Sequence, residues 1–106
     1  MANYLMAYKG GGMAETDAER EALMARWGAW FGQLGAAIVD PGNPFAGSAS
    51  VKSDGSVGDS AGSGLTGYSV LQADSLAGAT ELAKGCPILE NEGGSVEVRA
   101  IREMKL

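Results

Sequence analysis

Six large apolar side chains, Leu23, Trp27, Trp30, Phe31, Leu34 and Ile38, recur at three- and four-residue intervals. That is the spacing of one buried stripe on a helix. Such a stripe needs an apolar surface to lie on, and the segment before it offers one. Asn3-Tyr-Leu-Met-Ala-Tyr-Lys9 reads as a strand with Tyr4, Met6 and Tyr8 on one face and Leu5 and Ala7 on the other. Because both faces are apolar, the strand is expected in a sheet covered on two sides. Thr16-Asp-Ala-Glu19 has the spacing of a capping box, and Asp17 and Glu19 fall where the helix dipole favours anions. Ala25, Gly28, Gly32 and Gly35 form a second, small-residue stripe on the same helix. An interior glycine costs a helix about 1 kcal/mol relative to Ala. Close approach by a neighbouring backbone is one explanation. The other is that Gly35 ends the helix and the remaining two are tolerated.

The rest of the chain supplies three more strands and one more helix. Val39 to Phe45 contains two prolines and a glycine and reads as a turn. Ser48 to Ser53 reads as a short strand with Asp54-Gly55 as its hairpin turn, followed by a Gly- and Ser-rich loop from Ser56 to Gly67. Tyr68 to Ala73 is the next strand. A second helix starts at Asp74 or Ser75, buries Leu76, Ala79, Leu82 and Ala83, and stops at Gly85-Cys86-Pro87. Glu90 to Gly94 reads as a turn and Ser95 to Arg102 as the last strand. The order β-α-β-β-α-β is that of a ferredoxin-like α+β domain, a four-stranded antiparallel sheet with two helices on one face. A second copy packed sheet against sheet would cover the other face, so a homodimer is expected. One domain spans residues 1–106, since a third of the positions are Gly or Ala and large side chains suffice for only one core.

Composition excludes several functions. Thirteen acidic against eight basic residues give a net charge of −5, with the basic residues scattered singly. Nucleic acid and anionic membranes both need a basic patch, so neither is an expected partner. No apolar run approaches the length of a membrane-spanning helix. Met1-Ala2-Asn3-Tyr4 shows no basic segment leading into an apolar one, so no secretory signal is expected. The single cysteine, Cys86, fits a reducing cytoplasm and excludes an internal disulfide. Its place after a helix C-terminus suits an inert buried thiol. Histidine is absent, which removes Ser-His-Asp and Cys-His catalysis and His-ligated metals. No metal and no cofactor are expected.

Two motifs match patterns without their context. Gly58-Asp-Ser60-Ala-Gly62 has the form of a nucleophile elbow, which requires a strand, a sharp turn, a helix and a base. Gly62-Ser-Gly64-Leu-Thr-Gly67 has the form of a dinucleotide fingerprint but leads into a strand rather than a helix. Asp54 and Asp59 lack the spacing of a calcium loop. Asp40 is the candidate catalytic residue, because the turn at Pro41-Gly42 can present its carboxylate to a cleft. An Asx turn that caps its own backbone is the alternative. Asn43, Tyr68 and Trp27 are candidate ligand-binding residues, with Trp27, Trp30 and Phe31 at a spacing that equally suits core.

The strand Tyr4-Leu-Met-Ala-Tyr8, the long helix to Leu34-Gly35 and the turn Asp40-Pro-Gly-Asn-Pro44 together bring in a resemblance. It continues through Leu65-Thr-Gly-Tyr68, Ala73-Asp-Ser-Leu76, Lys84-Gly-Cys-Pro87 and Val96-Glu-Val98. In this order and spacing the chain resembles the YCII-related (DGPF-type) proteins of bacteria, in the dimeric α+β barrel superfamily. The resemblance implies a homodimer with a cleft between sheet and long helix. Some members carry a His on that helix and an Asp in the following turn; here those positions fall near Met24 and at or near Asp40. The Asp-Gly-Pro-Phe motif is replaced by Gly58-Asp59-Ser60-Ala61-Gly62. The expectation is a cytoplasmic homodimer with a small-molecule cleft. One alternative is a cofactor-independent lyase or isomerase acting on a small organic acid or cyclic compound, with Asp40 as base and Tyr68 or Asn43 steadying an oxyanion. The other is a regulatory or interaction module without chemistry.

Overall fold

The computed structural model describes residues 1–10, 15–58 and 64–104. Strand β1 (Ala2–Lys9) leads to helix α1 (Asp17–Leu34) and then to β2 (Ile38–Asp40). A hairpin follows, formed by β3 (Ser50–Val51) and β4 (Val57–Gly58). Then come β5 (Leu65–Ala73), helix α2 (Leu76–Ala83), a short 3-10 turn at Pro87–Glu90 and β6 (Ser95–Ala100). The sheet order is β2-β5-β1-β6, with every neighbouring pair antiparallel. This is the α+β ferredoxin-like arrangement.

The second strand of the sheet is not where the sequence pattern put it. Ser48–Ser53 was expected in the sheet, whereas Ser50–Val51 pairs only with Val57–Gly58 in a separate two-stranded sheet around the Asp54-Gly55 turn. The sheet strand is Ile38–Asp40, read from sequence as the end of the helix stripe and the start of a turn. The cause is local. Gly35 takes a positive φ of 52° and its N–H bonds the Phe31 carbonyl, so the helix stops there. A 3-10 turn takes up Gly35–Ala37, so only Ile38, Val39 and Asp40 remain before Pro41, too few to show alternation. Strand β5 also begins three residues early, at Leu65, and β6 ends at Ala100 rather than Arg102. The segments 11–14 and 59–63, with the strand-ending Gly11-Gly12, Asp59 and most of the Gly58–Gly62 motif, lie outside the described residues.

Caps follow sequence closely. The Thr16 hydroxyl accepts from the Glu19 N–H at 3.1 Å, and the Glu19 carboxylate accepts from the Glu15 N–H at 2.9 Å. The reciprocal bond thus reaches one residue further back than in the usual box. Ser75 caps α2 through the Gly78 N–H at 3.0 Å.

Tyr4, Met6 and Tyr8 of β1 and Leu71 and Ala73 of β5 share the face that packs on Trp30 and Leu34 of α1 and Ala79 and Ala83 of α2. The Trp30 indole N–H donates to the Leu82 carbonyl at 3.2 Å, tying the two helices together. Gly85 makes room for that ring, since a Cβ there would lie 3.1 Å from the Trp30 indole. The small-residue stripe has the simpler of its two explanations. A Cβ at Gly28, Gly32 or Gly35 would meet nothing within 4 Å, so no described neighbour approaches α1 there. On the helix-free face, Ala7 is buried and Leu5, Tyr68 and Val70 are half-buried.

Candidate functional site

A cleft of about 760 Å³ opens between α1 and the end of the sheet. The helix contributes Leu23, Met24, Trp27, Gly28 and Phe31 to one wall. Pro41 to Pro44 form the second wall, and Ile88 and Asn91 the third. Tyr8, Gly67 and Ser69 lie at its base on the sheet. Its size is within the range of small-molecule pockets.

The helix wall is a run of touching rings. Trp27 meets Tyr8 edge-on at 5.1 Å between centroids and Trp30 edge-on at 5.7 Å. Phe31 lies 5.8 Å from Trp27 and 5.4 Å from Trp30. Trp30 faces the core, whereas Trp27 and Phe31 are half-buried and line the cleft. One helical stripe therefore serves core and cleft together.

Beneath the rings runs a closed polar chain. The Tyr8 hydroxyl donates to Ser69 Oγ at 2.7 Å, and the Ser69 hydroxyl donates to the Pro41 carbonyl at 2.6 Å. Burial pushes the Tyr8 phenol well above its ordinary pKa, against the lesser opposing effect of the Ser69 hydrogen bond. It is a neutral phenol at neutral pH, not a base. Cys86 is a free, buried thiol, and burial pushes it up to about 11. Thiolate chemistry at neutral pH is thereby disfavoured.

The sequence candidates divide between two places. Trp27 and Asn43 line the cleft, and so does Met24, which is 69 % exposed; Tyr68 borders it with its ring turned to the other face of the sheet. Asp40 does not line it. Its Oδ1 accepts from the Gly42 N–H at 2.9 Å, closing an Asx turn, and its Oδ2 accepts from the Tyr68 hydroxyl at 3.3 Å. Tyr68 alternates with Ser69 along β5, so its ring faces away from the Tyr8 side of the sheet. There it stacks on Phe45 at 5.9 Å. Tyr8, Ser69, Ile88 and Asn91 are not among the sequence candidates for the cleft, and Gly28 reads only as part of the small-residue stripe. Tyr8 carries a signal, a polar-tipped ring in the apolar register of β1; Ile88, in a short 3-10 turn, and Asn91, which follows that turn, carry none.

Among the described residues no cluster of acidic or cysteine side chains could hold a metal ion. No helix among them is long and apolar enough to cross a membrane. The family model of the YCII-related domain matches residues 1–105. The chain belongs to the YCII-related domain family. No curated protein and no solved structure matches it at a significant level. What distinguishes this YCII-related chain must therefore be read from its own cleft.

Proposed function

We propose that this YCII-related protein is a cytoplasmic homodimer whose protomers each bind a small molecule in the cleft between α1 and the sheet. The observation that carries the reading is the wall formed by Trp27 and Phe31, large rings left half-buried beside a 760 Å³ opening. Leaving such rings partly wetted forgoes burial free energy that a ligand would recover. Support for the dimer comes from the apolar residues of the helix-free face, Leu5, Ala7 and Val70, and support for the cytoplasm from the unpaired Cys86.

The reading gives Asp40 no proton to move, because both its oxygens already accept hydrogen bonds, from the Gly42 N–H and the Tyr68 hydroxyl, and Asp40 is not among the residues lining the cleft. A thermal-shift screen of small molecules tests the binding, since a ligand of the folded state raises the melting temperature by mass action. A broad screen with no shift would sink the reading and favour an interaction module. Sedimentation at micromolar concentration tests the dimer. The expected result is twice the chain mass, reduced to the chain mass by Val70→Asp; a monomeric wild type would defeat the sheet-to-sheet arrangement.

A further inference from the structure

We infer that the ligand of this cleft is an uncharged, planar aromatic molecule bearing an amide-like or hydroxyl substituent; this rests on the cleft being a ligand site. Three observations converge on that class. First, no described residue lining the cleft carries a charge at neutral pH. A carboxylate placed there would lose water without gaining a cation, and the chain's net charge of −5 opposes its approach. Second, the aromatic rings form a continuous wall rather than a cage. Tyr8, Trp27 and Phe31 touch in sequence at centroid separations of 5.1 and 5.8 Å. No gap of cation size is left between them, so they do not surround a quaternary ammonium as aromatic cages do. A flat ring can stack on one of these faces and meet the neighbouring rings edge-on, since Trp27 lies at 76° to Tyr8 and 45° to Phe31.

Third, the polar groups left for a ligand are neutral. Tyr8 and Ser69 spend their hydroxyl protons on each other's chain, Thr66 donates to the Tyr8 and Gly10 carbonyls, and Tyr68 donates to Asp40. Among the described residues, the Asn43 and Asn91 side-chain amides have no hydrogen-bond partner, and they stand on the two walls flanking the rings. Each offers a donor and an acceptor, the complement of an amide or hydroxyl rather than of a full charge. Gly28 adds room: a Cβ there would meet nothing within 4 Å, so the absent side chain leaves open space beside the rings.

The test holds the ring constant and varies the charge. 1-Naphthylacetamide, 1-naphthylacetate and 1-naphthylmethylammonium are titrated into the full chain by calorimetry. The amide is expected to bind at least about tenfold tighter than either ion, from the unpaired burial of charge. Gly28→Leu should abolish amide binding while its urea unfolding midpoint does not fall, and Asn43→Ala with Asn91→Ala should weaken the amide without strengthening the ions. A carboxylate or ammonium that binds as tightly as the amide overturns the inference and leaves the cleft reading standing. Amide binding that survives Gly28→Leu in a folded variant places the ligand elsewhere and overturns it as well. Binding of none of the three overturns the inference, while the cleft reading itself falls only if the broad screen also gives no shift.

Discussion

The Tyr8 hydroxyl donates to Ser69 Oγ across the β1–β5 pair at 2.7 Å, and Ser69 passes the chain on to the Pro41 carbonyl at 2.6 Å. Three parts of the chain remote in sequence are thereby fixed at the base of the cleft: the first strand, the central strand and the turn that follows β2. Ser69 is completely buried and Tyr8 is 4 % exposed, so both hydroxyls depend on protein partners rather than water.

The two ends of this chain should differ in their effect on stability. Ser69→Ala strands both the Tyr8 hydroxyl and the Pro41 carbonyl, at a cost of about 2 kcal/mol. Tyr8→Phe leaves Ser69 still donating to Pro41 and should cost about 1 kcal/mol. Urea unfolding checks the order; a Tyr8→Phe variant less stable than Ser69→Ala would contradict the chain as described.

Gly42 stands where no other residue fits. Its φ is +73°, its N–H bonds Asp40 Oδ1, and a Cβ would run into the Tyr68 carbonyl. Gly42→Ala should cost at least about 2 kcal/mol, combining left-handed strain with a backbone clash. An unchanged unfolding midpoint would show that the turn at Pro41-Gly42 is not held as described.

Gly28 and Gly32 predict the opposite sign. Both lie inside α1 with open space around a prospective Cβ. Replacing either with Ala should stabilise the protein by about 1 kcal/mol through helix propensity alone. A loss of stability at either position would reveal a neighbour packed on that side of the helix, as a second copy would be.

The contrast between these glycines shows what the sequence could carry. Periodicity announced α1, β1 and α2, Thr16 announced the first cap and Asp74-Ser75 bracketed the second, because these signals are local. Strand β2 was hidden because its three residues exist as a strand only through pairing with Leu71 and Val70 of β5. The Asp54-Gly55 turn and the strand before it were legible, but its partner Val57–Gly58 lies in what reads as a Gly- and Ser-rich loop, and the pattern could not say that the pair forms a sheet of its own. In the cleft, Trp27, Asn43 and Tyr68 were legible as polar-tipped or aromatic residues near turns. Asp40 was legible as a turn residue, yet which side of the sheet its carboxylate faces depends on the bulge between Ile38 and Asp40, which leaves no trace in composition.

That placement makes Asp40 separable from ligand binding. Asp40→Asn keeps an amide oxygen to accept from the Gly42 N–H, so the turn should survive with a change of less than about 1 kcal/mol. Affinity for any cleft ligand should be unchanged, because the carboxylate does not line the cleft. Calorimetry on this variant checks it. A large loss of affinity or of turnover would return Asp40 to the chemistry.

Alkaline pH should expose the burial of Cys86. The thiol is 2 % exposed and its pKa rises from the ordinary 9.0 to about 11 in the folded chain. Above about pH 9 the unfolded chain releases this proton while the folded chain retains it, so the unfolded state binds fewer protons and stability falls with rising pH. The contribution is fully present below the unfolded value and is lost progressively as pH climbs towards 11, amounting to about 3 kcal/mol. The Tyr8 phenol, also raised by burial, extends the decline at the upper end. Urea unfolding at about pH 8 and about pH 10.5 measures the drop. Cys86→Ala should begin less stable, having lost buried volume, but should lose less between the two pH values than the wild type. Equal losses in both proteins would mean that the alkaline sensitivity comes from groups other than this thiol.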